Sequence, residues 1–344
     1  MTSMKNITVV KASISDIEKS QNIVYNGMFS RNGAVRRWAE AGMLFKSWSD
    51  KYTKPSDNSF CLEPRGNNTE DEAKGNVLRT LIDRFGISDL ALFEKKFDEA
   101  VSGDGKEWRR ISTLHSSSLL ALLCFYSVTA EHPLSFQGYT FTDSYFEVKT
   151  SVRDSHNSNM DTVLRGTEDA TGKKVVLFLE SKFSEYLESG MYNGISSGVY
   201  HDTYESFSLF TDPISPLCFV DDGSCITISS KKNGYYCGGI KQMISHFIGV
   251  SHYVDKGECA LGAHSRFKYE NDEVVMLGEI LFRLPKETDR IDRFGKYCDT
   301  YKELAKRMNG ISQFKIFDKT ITYQDVFAGK DFIKEDVIRE FYGF

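Results

Sequence analysis

The spacing of apolar residues changes character along the chain. Up to about residue 110 it is helical and surface-rich: Ala34 to Trp48 sets Val35, Trp38, Ala39, Met43, Leu44 and Phe45 at helical intervals. Asn76 to Phe85 continues in that style, and the polar stretch Ser56 to Gly75 reads as a loop between the two. From Ile111 to Val128, Ile111, Leu114, Leu119, Leu122, Leu123 and Tyr126 predict a helix that becomes apolar nearly all round, as one buried against a sheet must be. Its first turns carry His115 and Ser116 to Ser118.

After Pro133 the texture turns to strands, at Tyr139 to Val152, Asp161 to Arg165 and Lys174 to Phe183, with Ser-, Asn-, Asp- and Gly-rich loops between. Ile240, Met243, Ile244, Phe247 and Ile248 then fall on one face of a second amphipathic helix. Glu258 to Phe267 and Val274 to Leu284 read as further strands, and charged helices around Arg293 to Met308 and Lys334 to Tyr342 are expected at the periphery. This order predicts an α/β fold in a single domain: an α-β-β-β-α-β core over residues 111–285, with mostly helical extensions over 1–110 and 286–344.

Composition narrows the class. The 344 residues are 40% hydrophobic and 13% aromatic, enough to fill a sizeable core, and the 6 prolines and 26% charge do not describe a disordered chain. The longest nearly polar-free run, Leu119 to Val128, falls short of the roughly 20 residues a bilayer span needs, so no membrane partner is expected. Met1 to Lys11 lacks the basic and apolar regions of a signal peptide, which points to the cytoplasm. Seven cysteines without close pairs suit reduced thiols. A zinc site from Cys218, Cys225 and Cys237 lacks the close-spaced pair such sites use. A net charge of −5 argues against coating nucleic acid through a broad basic face, though not against a nuclease, whose metal site gathers carboxylates.

The chemistry concentrates at one acid-x-Lys. Glu-x-Lys occurs at Glu72, Glu94, Glu147 and Glu180. Glu72 lies in the polar loop and Glu94 in a charged helical stretch, so both read as solvated. Glu180-Ser181-Lys182 instead ends Val175 to Leu179, apolar on both faces as a central strand is. Residue numbers of antiparallel partners have a constant sum. Pairing Asp161 with Glu180 puts the midpoint between Ala170 and Thr171, inside the turn-forming Glu168-Asp169-Ala170-Thr171-Gly172. Asp161 and Glu180 would then be cross-strand neighbours, with Lys182 on the same face. Two carboxylates held that close repel unless a cation lies between them, and hard oxygen ligands suit Mg²⁺ or Mn²⁺ rather than zinc.

Asp161 and Glu180-Ser181-Lys182 after a hydrophobic strand, on a helix-then-strands layout, resemble the PD-(D/E)xK nuclease superfamily over roughly residues 111–250. The closest similarity is to restriction-endonuclease-like bacterial members with a Ser-rich helix before the sheet and an extra acid after the lysine, places taken here by His115-Ser116-Ser117-Ser118 and Glu185. Asn159-Met160 stands where many members have a proline before the first acid. The resemblance implies a restriction-endonuclease-like core and divalent-metal-dependent hydrolysis of phosphodiesters, with DNA the expected substrate, in restriction, defence or repair. Asp161, Glu180 and the Ser181 carbonyl would hold the metal, and Lys182 would position or deprotonate the attacking water. Glu147 is a candidate additional acid for that metal or a second one, or else an outward-facing strand residue. Gln242 opens the helix after the sheet, where several members place a glutamine, and the neighbouring Lys241 could meet a phosphate.

Two rival readings remain. Gly194-Ile195-Ser196-Ser197-Gly198 fits the G-x-S-x-G elbow of serine hydrolases, with Ser196 as nucleophile, but Phe183 to Asn193 is not the buried strand that motif requires. A non-catalytic nucleic-acid-binding relative could use the basic pairs Arg36-Arg37, Arg109-Arg110, Lys173-Lys174 and Lys231-Lys232. The oligomeric state is left open, a homodimer included.

Overall fold

The structure is a computed structural model that describes residues 53–56, 59–62, 70–102, 108, 111, 116–153, 156–183, 194–197, 219–221, 225–228, 240–261, 265–270, 272–283 and 292–344. Of the sequence expectations, the helix over 34–48, His115, Glu185, Cys218, Cys237 and the basic pairs at 36–37, 109–110 and 231–232 lie outside the described residues.

A short hairpin of β1 (Thr53–Ser56) and β2 (Ser59–Leu62) precedes α1 (Glu70–Phe85) and α2 (Leu90–Ala100). The polar segment expected as a loop therefore holds a strand and the first turns of a helix. Glu70, Asp71 and Glu72 supply acid where the helix dipole favours it, and the missing apolar spacing hid the start. Glu72 is accordingly a helical residue, exposed as expected. In α2 the Asp89 carboxylate accepts from the Leu92 N–H at 3.1 Å, and Phe93, Phe97 and Ala100 form the buried stripe. α3 (Ser117–Phe125) is capped by Ser116, whose hydroxyl accepts from the Leu119 N–H at 3.1 Å, and every residue from Leu119 to Phe125 is buried.

β3 (Leu134–Phe136), β4 (Tyr139–Arg153), β5 (His156–Glu168) and β6 (Lys174–Lys182) follow as an antiparallel meander. The β5–β6 turn closes where expected: Gly172, at φ +69°, donates to the Glu168 carbonyl at 2.8 Å, and Glu168 donates to the Lys173 carbonyl at 2.9 Å. Thr162 pairs with Leu179 and Val163 with Phe178, the register that sets Asp161 opposite Glu180. Val175 to Lys182 are all buried, as an apolar central strand requires.

β7 (Gly194–Ser197), β8 (Phe219–Asp221) and β9 (Cys225–Ile228) make a separate small sheet, and α4 (Ile240–Lys256) leads into β10 (Glu258–Leu261), β11 (Ser265–Lys268) and β12 (Val274–Leu281). The strand expected over 258–267 is thus a hairpin of two. α5 (Arg293–Ile311), β13 (Lys315–Ile316), β14 (Ile321–Thr322), α6 (Tyr323–Phe327) and α7 (Asp336–Tyr342) complete the chain.

The main sheet runs β11-β10-β4-β5-β6-β12-β13, with β3 on β4 and β14 on β12. It is mixed: β12 pairs parallel with β6, β13 and β14, and the other pairings are antiparallel. Ser181 hydrogen-bonds to α3 whereas Glu180 and Lys182 meet α4, so the two helices flank opposite faces of β6. α4 lies close on β4: a Cβ on Gly249 would stand 2.0 Å from Thr150 Oγ1 and 2.7 Å from its Cβ. The C-terminal part expected at the periphery belongs to the core. Tyr297, Tyr301, Leu304, Ala305 and Met308 are a buried stripe on α5, and Ile338, Phe341 and Tyr342 are buried on α7. Its charges sit on the opposite face, at Lys302 and Lys306, and their number masked the stripe.

Candidate active site

Where β6 ends, against the middle of β4 and β5 and beside α3 and α4, five of the residues singled out by sequence come together: Glu147, Asp161, Glu180, Ser181 and Lys182, with Gln242 above them. Main-chain pairing between β5 and β6 stops at Thr162 and Leu179. One residue further out, the Asp161 side chain takes over the ladder's role: its Oδ2 accepts from the Ser181 N–H at 2.8 Å. Its Oδ1 accepts from the Ser118 hydroxyl of α3 at 3.2 Å. On the other side, Phe146 pairs with Thr162 and Val148 with Met160, so Glu147 lies opposite Asp161. Glu147 is buried and adopts φ +49°, a left-handed conformation that costs a non-glycine residue about 1–3 kcal/mol and gathers at functional sites. Three acidic residues are thus neighbours on three adjacent strands, with the Asp161 carboxylate bonded to α3 and the Glu180 carboxylate meeting α4.

Glu180 is held from two sides. Its Oε1 is 2.5 Å from Lys182 Nζ and its Oε2 is 2.8 Å from His246 Nε2, with all three side chains buried. Burial pushes the Glu180 carboxyl up, but Lys182 and His246 outweigh it and bring it to about 2. Asp161 goes the other way. Burial first, then the charges of Glu180 and Glu147, raise its carboxyl well above the usual carboxylate range, and Lys182 and the Ser181 N–H only partly oppose them. Partial exposure of Asp161 and exposure of Gln242 leave the cluster open to solvent on one side.

Lys182 Nζ also donates to Gln242 Oε1 at 2.6 Å, so Gln242 reaches the lysine from α4. The backbone of Ser181 is steadied from the opposite face, where its hydroxyl donates to the Ser117 carbonyl at 3.0 Å and lies 2.7 Å from the Tyr323 hydroxyl. Sequence reasoning passed over His246, Ser158 and Tyr323. The available signal for His246 was its place four residues after Gln242, one turn along the same helix face; Ser158 and Tyr323 had none. One strand beyond, Glu279 is paired in register with Glu180 and accepts from the Tyr297 hydroxyl at 2.8 Å.

Asp161, Glu180 and Glu147 could hold a hard divalent cation. Asp161 is crowded by two further carboxylates with Lys182 as the opposing charge, an excess of negative charge that such an ion would relieve. Among the described residues no three His, Cys, Asp or Glu side chains form a ready-made cage. Mg²⁺ does not require one, since it keeps several waters and takes one or two carboxylates.

The other candidate centres fare differently. Glu94 is exposed, as expected of a solvated copy of the motif, whereas Lys96 is buried against Asp143 and the Ser144 carbonyl. Ser196 lies within β7, paired with Ile226 of β9, and not on a turn from strand to helix. Cys225 is in β9, and the described Cys124, Cys259 and Cys298 are free thiols. Lys173 and Lys174 are exposed at the β5–β6 turn. Among the described residues no helix is long and apolar enough to cross a membrane.

Comparison with family models, with curated proteins and with solved structures finds no match to this chain. The chain is a mixed α/β protein whose sheet is flanked by helices, with a carboxylate and lysine cluster on three adjacent strands, at the end of β6.

Proposed function

We propose that this protein is a divalent-metal-dependent nuclease on a restriction-endonuclease-like core, cleaving phosphodiester bonds of DNA. One observation carries the reading: Asp161 lies in register beside Glu147 on β4 and, one residue past the last β5–β6 pair, beside Glu180 on β6, whose carboxylate is bonded by the lysine two residues further on. Helix α3, strands β4 to β6, helix α4 and strand β12 follow in that order along the chain, with β7–β9 before α4 and β10–β11 after it, which supports the reading.

Asp161, Glu180 and the Ser181 carbonyl would hold Mg²⁺ or Mn²⁺, with Glu147 as the further acid. The ion would supply an activated water and neutralise charge building on the phosphate. Lys182 would position or deprotonate the attacking water and offset negative charge in the transition state. Gln242 holds that ammonium in place through its amide oxygen. The Ser181 N–H and the Ser118 hydroxyl fix the Asp161 carboxylate, which would be one ligand of the ion. Exposed Lys173 and Lys174 lie at the far end of the β5–β6 hairpin and have no part in the chemistry.

The test incubates plasmid, single-stranded DNA and RNA with the wild type and Asp161→Asn, in Mg²⁺ or EDTA. Cleavage of DNA by the wild type in Mg²⁺, abolished by EDTA and by the variant, is expected. Equal cleavage by both proteins would overturn the mechanism, and DNA binding with no cleavage of any substrate would favour a non-catalytic binder.

A further inference from the structure

Gln242 and His246, one turn apart on α4, both reach the Glu-Ser-Lys end of β6. His246 is 1% exposed, so its two ring nitrogens depend on protein partners. Nδ1 is 2.6 Å from the Ser158 hydroxyl of β5, and Nε2 is 2.8 Å from Glu180 Oε2. Nε2 meets Glu180 Oε2 as a close polar contact outside hydrogen-bond geometry, and Nδ1 faces the Ser158 hydroxyl. The imidazole thus bridges β5 and β6 beneath α4. It packs against the carboxylate oxygen that Lys182 leaves, since Lys182 takes Oε1.

We infer that His246, backed by Ser158, is a positioning residue that sets the affinity of the site for its divalent ion by fixing the rotation of the Glu180 carboxylate. The inference rests on the nuclease reading and deepens it. Glu180 hangs from a strand end with one oxygen already bound to Lys182. Without His246 its carboxylate can turn about the Lys182 contact and lose the orientation in which it and Asp161 address one ion. Partners of this kind, one step removed from a metal, change metal affinity by about 10–100-fold when removed. Gln242 acts on the lysine and His246 on the carboxylate, so α4 orients both members of the motif separately.

The experiment titrates Mn²⁺ into the wild type, His246→Ala, His246→Gln and Ser158→Ala, following free Mn²⁺ by electron paramagnetic resonance, and measures cleavage against metal concentration. Circular dichroism melts establish that each variant is folded. His246→Ala is expected to bind Mn²⁺ about 10–100-fold more weakly, with its rate at saturating metal within a few-fold of wild type. His246→Gln, whose amide N–H can meet the same oxygen, recovers most of the affinity, and Ser158→Ala falls between. Should His246→Ala fail to fold, the Gln and Ser158 variants carry the comparison. Wild-type affinity in folded His246→Ala or in Ser158→Ala with unrestored His246→Gln would overturn the inference, as would a rate that stays lost at saturating metal. A wild type that binds no Mn²⁺ would overturn the metal centre itself, a distinct result from equal binding by all four proteins.

Discussion

Replacing Asp161 by Asn should stabilise the metal-free protein. The amide oxygen can accept from the Ser181 N–H as Oδ2 does at 2.8 Å, and the Ser118 hydroxyl can turn to accept from the amide nitrogen, so the geometry survives while the charge goes. The sign follows from the raised carboxyl of Asp161, caused by burial and by Glu180 and Glu147. A folded state that holds its proton more tightly than the unfolded chain is fully favoured below the unfolded value of about 3.9, and loses that advantage as pH rises through the folded value. Above the folded value, the ionised Asp161 therefore opposes folding, and Asn relieves it. Single stabilising substitutions commonly contribute about 0.5–2 kcal/mol. With an unfolding entropy of about 0.7 kcal/mol/K for 344 residues, a gain of about 1.5 kcal/mol raises Tm by about 2 °C. Mg²⁺ should reverse the order: at 100 times its Kd it stabilises the wild type by about 2.7 kcal/mol, about 4 °C, and the variant far less. Thermal melts of both proteins with and without MgCl₂, across acidic to mildly alkaline buffers, read both effects. A variant that melts at or below the wild type in metal-free alkaline buffer would refute the excess of buried negative charge, and an equal Mg²⁺ shift in both would refute Asp161 as a ligand.

Lys182→Met should cost about 3–5 kcal/mol in urea unfolding because it strips a buried carboxylate of its closest partner, and adding Glu180→Gln should recover most of that loss. The Glu180 contribution in the wild type is present above about pH 4.3, its unfolded value, and is lost as pH falls toward about 2; a loss below about 1 kcal/mol for Lys182→Met would contradict the pairing. Gly249→Ala should destabilise by about 1–3 kcal/mol and lower cleavage, because its methyl meets Thr150 and lifts from β4 the helix that carries Gln242 and His246. Unchanged stability and cleavage in that variant would show that α4 does not depend on the close approach.

The sequence by itself determined the elements that depend on local pattern. The apolar run Val175 to Leu179 made β6 a strand buried on both faces, and turn residues between Glu168 and Gly172 placed the hairpin, hence the register that sets Asp161 opposite Glu180. Period and turn chemistry act over neighbouring residues, so they can be read without the fold. Tertiary structure decided what long-range contact decides. It ended the β5–β6 ladder at Thr162 so that the Asp161 side chain holds the Ser181 N–H, and it put Glu147 in a left-handed conformation beside Asp161. It also brought His246 and Tyr323, far along the chain, against Glu180 and Ser181. The same holds for the C-terminal helices, whose charge count hid a buried aromatic stripe. Which partner a polar side chain meets, and whether a charge is crowded or screened, depends on which elements pack together, and no local pattern records that.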